Sequence, residues 1–456
     1  MKGSARKFRI APHMINRRSY LKGFSLTAAA AALQPYSAFA AEPRKFRIAA
    51  VGIGGRGGAD LGQLRSHPLY ELTAVCDVDS RFFKGKNNKA RYPGAAQFQD
   101  YQEMFAKMAD KFDGVLIATP DHMHAPIALL ALHHNKHVYL QKPLAQDIGE
   151  CRLLAQAAAK KPHLATQMGI QIHGHPAYRS AVQWIRNGVI GKVEKVHSWS
   201  GKGWGGEYKP KDVSAIPDAL DWDLYCGVTG KVPFVDGWYH RGNWRKWFSF
   251  GSGTQGDMGC HIVDPVFGAL DFKEPLSVIS RGPKPFSRNF ALISKVEYEF
   301  KGTPFTIGKP EFTWYNGSLS PKTLEGLPKS IKLPSQGSVF IGEKGMLVLP
   351  HIGVPQVYQP DGTPLAVLPA EEKAVNHFHE WIDAATGRKE ATSTPFSFSG
   401  PLTEAVLLGI VINRWPNKKF GWDAAKCQFT GPGSEVAEAN ALVAPAWAPG
   451  FEIPKA

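Results

Sequence analysis

Cysteine is scarce and unpaired in pattern: Cys76, Cys151, Cys226, Cys260 and Cys427 are an odd set with no CxxC spacing. That argues against a disulfide framework. Long apolar runs are missing as well. After the N-terminus none approaches the ~20 residues of a membrane span. Compact Lys/Arg runs with interleaved aromatics are also absent, which leaves no footprint for nucleic acid. The formal charge of +15 overstates the basic character. Residues 1–40 hold Lys2, Arg6, Lys7, Arg9, Arg17, Arg18 and Lys22 and no acid, and without them the balance is +8. What is present is 456 residues with 43% apolar and 20% charged side chains, enough for two folded domains.

The first 40 residues read as an address. "NRRSYLKGF" precedes the apolar "SLTAAAAAL", and "YSAFA" ahead of "AEP" ends on a small-x-small cleavage pattern at Ala40. Arg17-Arg18 with Tyr20, Leu21 and Lys22 resembles a twin-arginine export signal, with Asn16 in place of the more usual Ser or Thr. The expectation is a periplasmic or otherwise exported protein; an ordinary secretory signal would place it outside the cytoplasm too.

From Arg44 strands and helices alternate. "KFRIAAVG", "LYELTAVCD", "FDGVLIATP" and "KHVYLQKP" are buried strands, "IGECRLLAQAAAKKP" is a helix, and "HLATQMG" adds a further strand. This predicts a parallel, doubly wound sheet over 44–168. Beyond Gly169 "AYRSAVQWIRNGVIGK" is an amphipathic helix. "VEKVHSWSGKG", "SKVEYEFKG", "TPFTIGKPEFTWYNG" and "SVFIGEKGMLVLP" then alternate apolar and polar residues between Gly and Pro turns. They predict an α+β domain with a large, mostly antiparallel sheet over 169–430. Late helices fall in "EKAVNHFHEWIDAAT" and "PLTEAVLLGIVINRW", and 431–456 is expected as a surface tail.

Gly52-x-Gly54-x-x-Gly57 follows the first strand and opens a helix. One glycine permits the turn, one admits a pyrophosphate, one lets helix and strand pack. Gly55 and Arg56 belong to the same turn. Phosphate oxygens there meet free N–H groups at a helix start. Asp77, twenty residues after Gly57, can accept both ribose hydroxyls and repel a 2′-phosphate. NAD is therefore expected, with Arg56 and Arg81 keeping NADP in view. Thr119-Pro120 turns the chain at the carboxyl edge of the sheet, where ligands sit, and Thr119, Pro120, His122 and His124 are expected at the cofactor. The histidines fit no metal template, so no metal is expected.

By "GIGGRG", "CDVD", "TPDHMH", "QKP" and "GDMGCHIVD" the chain resembles the Gfo/Idh/MocA oxidoreductases, which include glucose–fructose oxidoreductase and inositol dehydrogenase. The resemblance spans roughly Lys45 to Lys426. It implies a Rossmann domain followed by an α+β domain whose open sheet face makes a homo-oligomer. It also implies a lysine beside nicotinamide, at Gln141-Lys142-Pro143, and an Asp-x-x-x-His pair, at Asp257 and His261. Residue chemistry agrees. Lys142 closes a strand of the nucleotide sheet, and Asp257 and His261 share a helix face four residues apart. An imidazole serves as base for a hydroxyl proton, with a carboxylate nearby to orient it. Gln141 departs from the family's glutamate and removes a charge beside Lys142.

Substrate contacts are expected from "DGWYHRGNWRKWFSFGSG", where Trp238, Tyr239, Arg241, Trp244 and Arg245 offer aromatic faces and donors suited to a carbohydrate. Past the domain junction, Gln171 is expected at the cofactor, and His173 and Tyr178 at the substrate. Three functions follow: a sugar, glycoside or cyclitol dehydrogenase with tightly held NAD; a glycoside hydrolase that recycles NAD through oxidation, elimination and reduction; or a non-catalytic sugar-binding or structural protein on the same scaffold.

Overall fold

The computed structural model describes residues 44–85, 87, 89–209, 211–366 and 373–452, so the expected export signal lies outside the described residues. Strands β1 (Phe46–Val51), β2 (Tyr70–Cys76), β3 (Ala96–Phe98), β4 (Gly114–Ile117), β5 (His137–Gln141) and β6 (Thr166–Gly169) form a parallel sheet in the order β3-β2-β1-β4-β5-β6. Helices α1 (Gly55–Leu64), α2 (Tyr101–Met108), α3 (His124–His133) and α4 (Ile148–Ala159) connect them. β1, β4 and β5 read as continuous apolar runs because both faces are covered. Ala49 and Val51 face a core shared with α2, α3 and α4, whereas Phe46, Ile48 and Ala50 face α1. α4 starts on a capping box in which Asp147 and Glu150 each satisfy the other's backbone N–H.

The rest of the chain supplies α5 (Pro176–Arg186), β7 (Val193–Ser200), α6 (Trp222–Cys226), α7 (Gly253–Leu270), β8 (Ser277–Ser280), β9 (Ser294–Glu299) and β10 (Thr306–Asn316). It continues with β11 (Gly337–Gly342), β12 (Gly345–Pro350), β13 (Gln356–Tyr358), β14 (Pro364–Leu365), α8 (His377–Ala385), α9 (Phe396–Ile412), β15 (Lys419–Asp423), β16 (Gln428–Thr430) and α10 (Glu435–Asn440). Ten strands make one sheet in the order β14-β13-β12-β11-β7-β10-β9-β8-β15-β16, antiparallel except for β7 with β10. Among the described residues no helix is long and apolar enough to cross a membrane, and all five cysteines are free.

Two expectations about organisation need correction. α8 lies within 169–430 in sequence but packs on the nucleotide sheet: Trp381 meets Phe46 edge-on at 5.3 Å, and Phe378 stacks on Tyr139 at 5.8 Å. It fills the half of that face which α1 leaves bare. The stretch from Gly431 is more than a surface tail, because α10 buries Ala439 and the chain returns to α4. There the Val443 carbonyl accepts from Gly149 N–H at 2.8 Å and Trp447 Nε1 donates to Glu150 at 2.7 Å.

Candidate active site

The glycine turn is built as its spacing demands. Gly52 adopts φ +79°, and a Cβ there would lie 2.7 Å from the Ala118 backbone. A Cβ on Gly57 would strike the Gly52 carbonyl, so helix and strand close only on glycine. Gly55 is different, since a Cβ there would meet nothing within 4 Å. It lines a cavity of about 530 Å³ at the carboxyl ends of β1, β2, β4 and β5, where ligands bind in such sheets.

That cavity brings together Gly52, Gly54, Gly55, Arg56, Asp77, Thr119, Pro120, Gln141, Lys142 and Gln171 with Arg241, Trp244, Arg245 and His261. Asp77 Oδ2 accepts from the N–H groups of Ile53 and Gly54 at 2.9 and 3.2 Å, so the carboxylate expected at a ribose stands against the glycine turn. Burial pushes its pKa up.

Lys142 follows β5, and its ammonium donates to the Asp257 carbonyl at 2.8 Å and to Asp257 Oδ1 at 2.9 Å. Asp257 also accepts from Arg245 Nε (3.0 Å) and Trp204 Nε1 (2.8 Å), with Lys202 at 3.4 Å. Burial opposes ionisation of Asp257, but Lys142 and Arg245 outweigh it and hold the carboxyl well below its usual range. The carboxylate is therefore partnered with Lys142 and not, as expected, with the imidazole. His261, one helical turn further along α7, keeps Nδ1 buried and without a hydrogen-bond partner. Burial and then the Lys142 charge drive its pKa well below the normal value, so the ring is neutral near pH 7.

Several predicted residues stand elsewhere. His122 and His124 do not line the cavity. Both are buried and fasten backbone: His122 Nε2 bonds the Tyr225 carbonyl at 2.9 Å, and His124 Nδ1 bonds the Pro143 carbonyl at 2.7 Å. Burial lowers each pKa to about 4. Trp238 and Tyr239 belong to an aromatic cluster with Trp222, Trp247 and Phe250, and so give no face to a sugar. His173 pairs with Asp264 at 2.8 Å, and Tyr178 hydroxyl meets His351 Nδ1 at 2.8 Å. Neither lines the cavity, although His351 stands 6.0 Å from the His261 ring.

Sequence reasoning missed Phe82 and Tyr225 in the cavity wall, and Lys202 and Trp204 on Asp257. "SGKGWGG" carried a usable signal, a cation and an indole spaced by glycines directly after a strand. Phe82 packs on Gly54, and His240 Nε2 bonds Asp79 at 2.8 Å, which ties the 217–247 segment to the loop after β2. No cluster of three His, Cys, Asp or Glu placed to hold a metal occurs among the described residues.

The cavity suits a dinucleotide. It has the glycine turn, open at Gly55, the N-terminus of α1 and a carboxylate at the end of β2. Four cavity-lining groups, Thr119 Oγ1, Gln171 Nε2, Tyr225 OH and His261 Nδ1, are buried without hydrogen-bond partners, a costly state that a polar ligand relieves.

The fold and site define a Rossmann-type dinucleotide-binding protein with an appended α/β sheet domain. Two family models match: "Oxidoreductase family, NAD-binding Rossmann fold" over 46–169, and "Oxidoreductase family, C-terminal alpha/beta domain" over 181–307, together more than half of the chain. The chain belongs to the Gfo/Idh/MocA family and carries its NAD-binding domain. It is 28% identical over 159 residues to inositol 2-dehydrogenase of Rubrobacter xylanophilus, covering 35% of this chain and 44% of that protein. It is 25% identical over 207 residues to a glycosyl hydrolase family 109 protein of Shewanella pealeana, covering 39% and 44%. The chain thus spans less than half the length of these curated relatives. Among solved structures, the aldose-aldose oxidoreductase of Caulobacter crescentus matches with TM-score 0.56, 16% identity and coverage of 83% and 100%. The WlbA dehydrogenase of Bordetella pertussis matches with 0.59, 16%, 83% and 99%. At these identities they speak for the fold.

Proposed function

We propose that the protein is an NAD-dependent oxidoreductase acting on a ring hydroxyl of a sugar, glycoside or cyclitol. It holds its cofactor tightly and works outside the cytoplasm as a homo-oligomer. One observation carries the reading: Lys142 and His261, from different halves of the chain, line the same cavity as the glycine turn. When bound, NAD supplies the hydride acceptor. His261 is neutral and offers a lone pair to the hydroxyl proton, while the burial and Lys142 charge that keep it neutral also oppose a lasting imidazolium. Lys142, aimed by Asp257, donates where alkoxide charge develops. Thr119 Oγ1, Gln171 Nε2 and Tyr225 OH are the unpartnered groups left to orient the bound molecules.

The protein as isolated is expected to carry nicotinamide, detectable by absorbance and mass spectrometry after denaturation. A panel of sugars, glycosides and inositols should then change the reduced-nicotinamide band. Lys142→Met should lower turnover by about a hundredfold or more while nicotinamide stays bound. Undiminished turnover would remove Lys142 from the chemistry.

The similarity to glycosyl hydrolase family 109 proteins favours a second reading, in which the same hydride step is transient. Glycoside cleavage without accumulating NADH selects it. The non-catalytic reading rested on Gln141. That amide turns to Asp60 and leaves the Lys142–Asp257 pair intact.

A further inference from the structure

The region around α7 holds more positive charge than alcohol chemistry uses: Lys142 and Arg245 line the cavity, and Lys202 stands beside them on Asp257. Three cations stand within 3.4 Å of one carboxylate, Asp257: Lys142, Arg245 and Lys202. A single carboxylate offsets one of them. The side chains of Lys142 and Arg245 are only 11% and 26% exposed, where uncompensated charge is costly. Asp121 is the next acid, but it is buried against Ser252, and burial pushes its pKa up to about 7. Lys246, over the rings of Trp204 and Tyr208 at 5.9 and 5.3 Å, adds to the same sign.

We propose that the substrate is a sugar or cyclitol bearing an anionic group, carboxylate or phosphate, anchored by Arg245 and Lys202; this rests on the redox reading above. Arg245 is held in a fixed plane, its guanidinium 4.2 Å from the Trp244 ring and 5.6 Å from Trp204. Its Nε serves Asp257, and only a long 3.4 Å contact from Nη1 to the Gly242 carbonyl engages the outer fork. A planar fork with free donors matches an oxyanion. Lys202 is 48% exposed and makes only the 3.4 Å contact to Asp257, so it can turn to a ligand. The cofactor pyrophosphate does not answer this charge, because its place is the glycine turn ahead of α1.

The test is calorimetric titration of the protein, with NAD added to saturation, using D-glucuronate, D-galacturonate, D-glucose 6-phosphate, D-glucose, D-galactose and myo-inositol. An anionic probe should bind about tenfold or more tightly than its neutral parent, and added salt should erode the advantage. Whether uronates or the phosphate lead identifies the anionic group. Lys202→Met, at a half-exposed position that folding tolerates, and Arg245→Gln should each cut that advantage about tenfold. Equal binding of acid and neutral parent, no binding by any anionic probe, or an advantage unchanged in both variants overturns the proposal. Titrating NAD separately tells the two readings apart, since the charge preference can be read whether or not the nucleotide binds.

Discussion

Gln141 occupies the position where a glutamate would charge the neighbourhood of Lys142, and its amide donates to Asp60 Oδ2 at 2.6 Å. Asp60 is fully buried and pairs with Arg56 at 2.7 Å. Burial still pushes its pKa up to about 6, against the pull of Arg56 and Gln141. The negative charge near the strand end therefore sits on α1, and the neutral amide is what lets the two side chains touch. Gln141→Glu would press two carboxyls together, and one would have to stay protonated. Both folded-state pKa values would lie above their unfolded values. The variant should then match the wild type below about pH 4 and lose stability as pH rises through about 6. Thermal melts at pH 4 and pH 8 check this; equal deficits at both would mean the amide is not in contact with Asp60.

At the scale of elements, legibility followed burial pattern. β1, β4 and β5 and the Ala74–Cys76 end of β2 are covered on both faces and so announce themselves as apolar runs, whereas β3 has three residues and β14 two, too short to carry a period. Asp257 and His261 were readable as one face of α7. Their pairing was not, because the partner of Asp257 comes from β5, 115 residues away. The aromatic stretch before α7 shows the same limit: Trp238 and Trp244 have like surroundings in sequence and pack in the same core cluster, yet only Trp244 also lines the cavity. α8 was legible as a helix, but nothing local says which sheet it covers. Trp381, fully buried against Phe46 and Tyr139, makes that placement measurable. Trp381→Ala should cost about 3–5 kcal/mol in urea unfolding and loosen NAD binding, since neighbouring Phe378 lies under Arg56 of the glycine turn at 5.9 Å. An unchanged unfolding midpoint would separate α8 from the nucleotide-binding core.

At the scale of the whole molecule, the sheet face expected to join subunits is divided. Over β7, β11 and β12 it is capped by the chain's own Leu324 and Ile331 against Trp199, Val339 and Val348. Over β9 and β10 it carries internally paired charges such as Lys309–Glu299 at 2.7 Å and Arg281–Glu297 at 3.0 Å. Such a surface suits a polar association more than an obligate one. The compact unit containing both sheets starts at Arg44, just past the expected cleavage after Ala40. A mature chain beginning at Ala41 thus keeps every described element and sheds seven cationic side chains. Because the cavity is walled by residues as far apart as Gly52 and His261, a cofactor can be enclosed only once the parallel sheet and α7 have come together. In the proposed export, transport after folding is the route that would let a nicotinamide made in the cytoplasm travel with the protein. The exported protein should therefore begin at Ala41 by mass spectrometry and carry nicotinamide. Replacing Arg17 and Arg18 together by Lys should leave a folded, NAD-loaded protein in the cytoplasm. Export that survives this exchange, or an exported protein without nicotinamide, would reject folded transport with its cofactor.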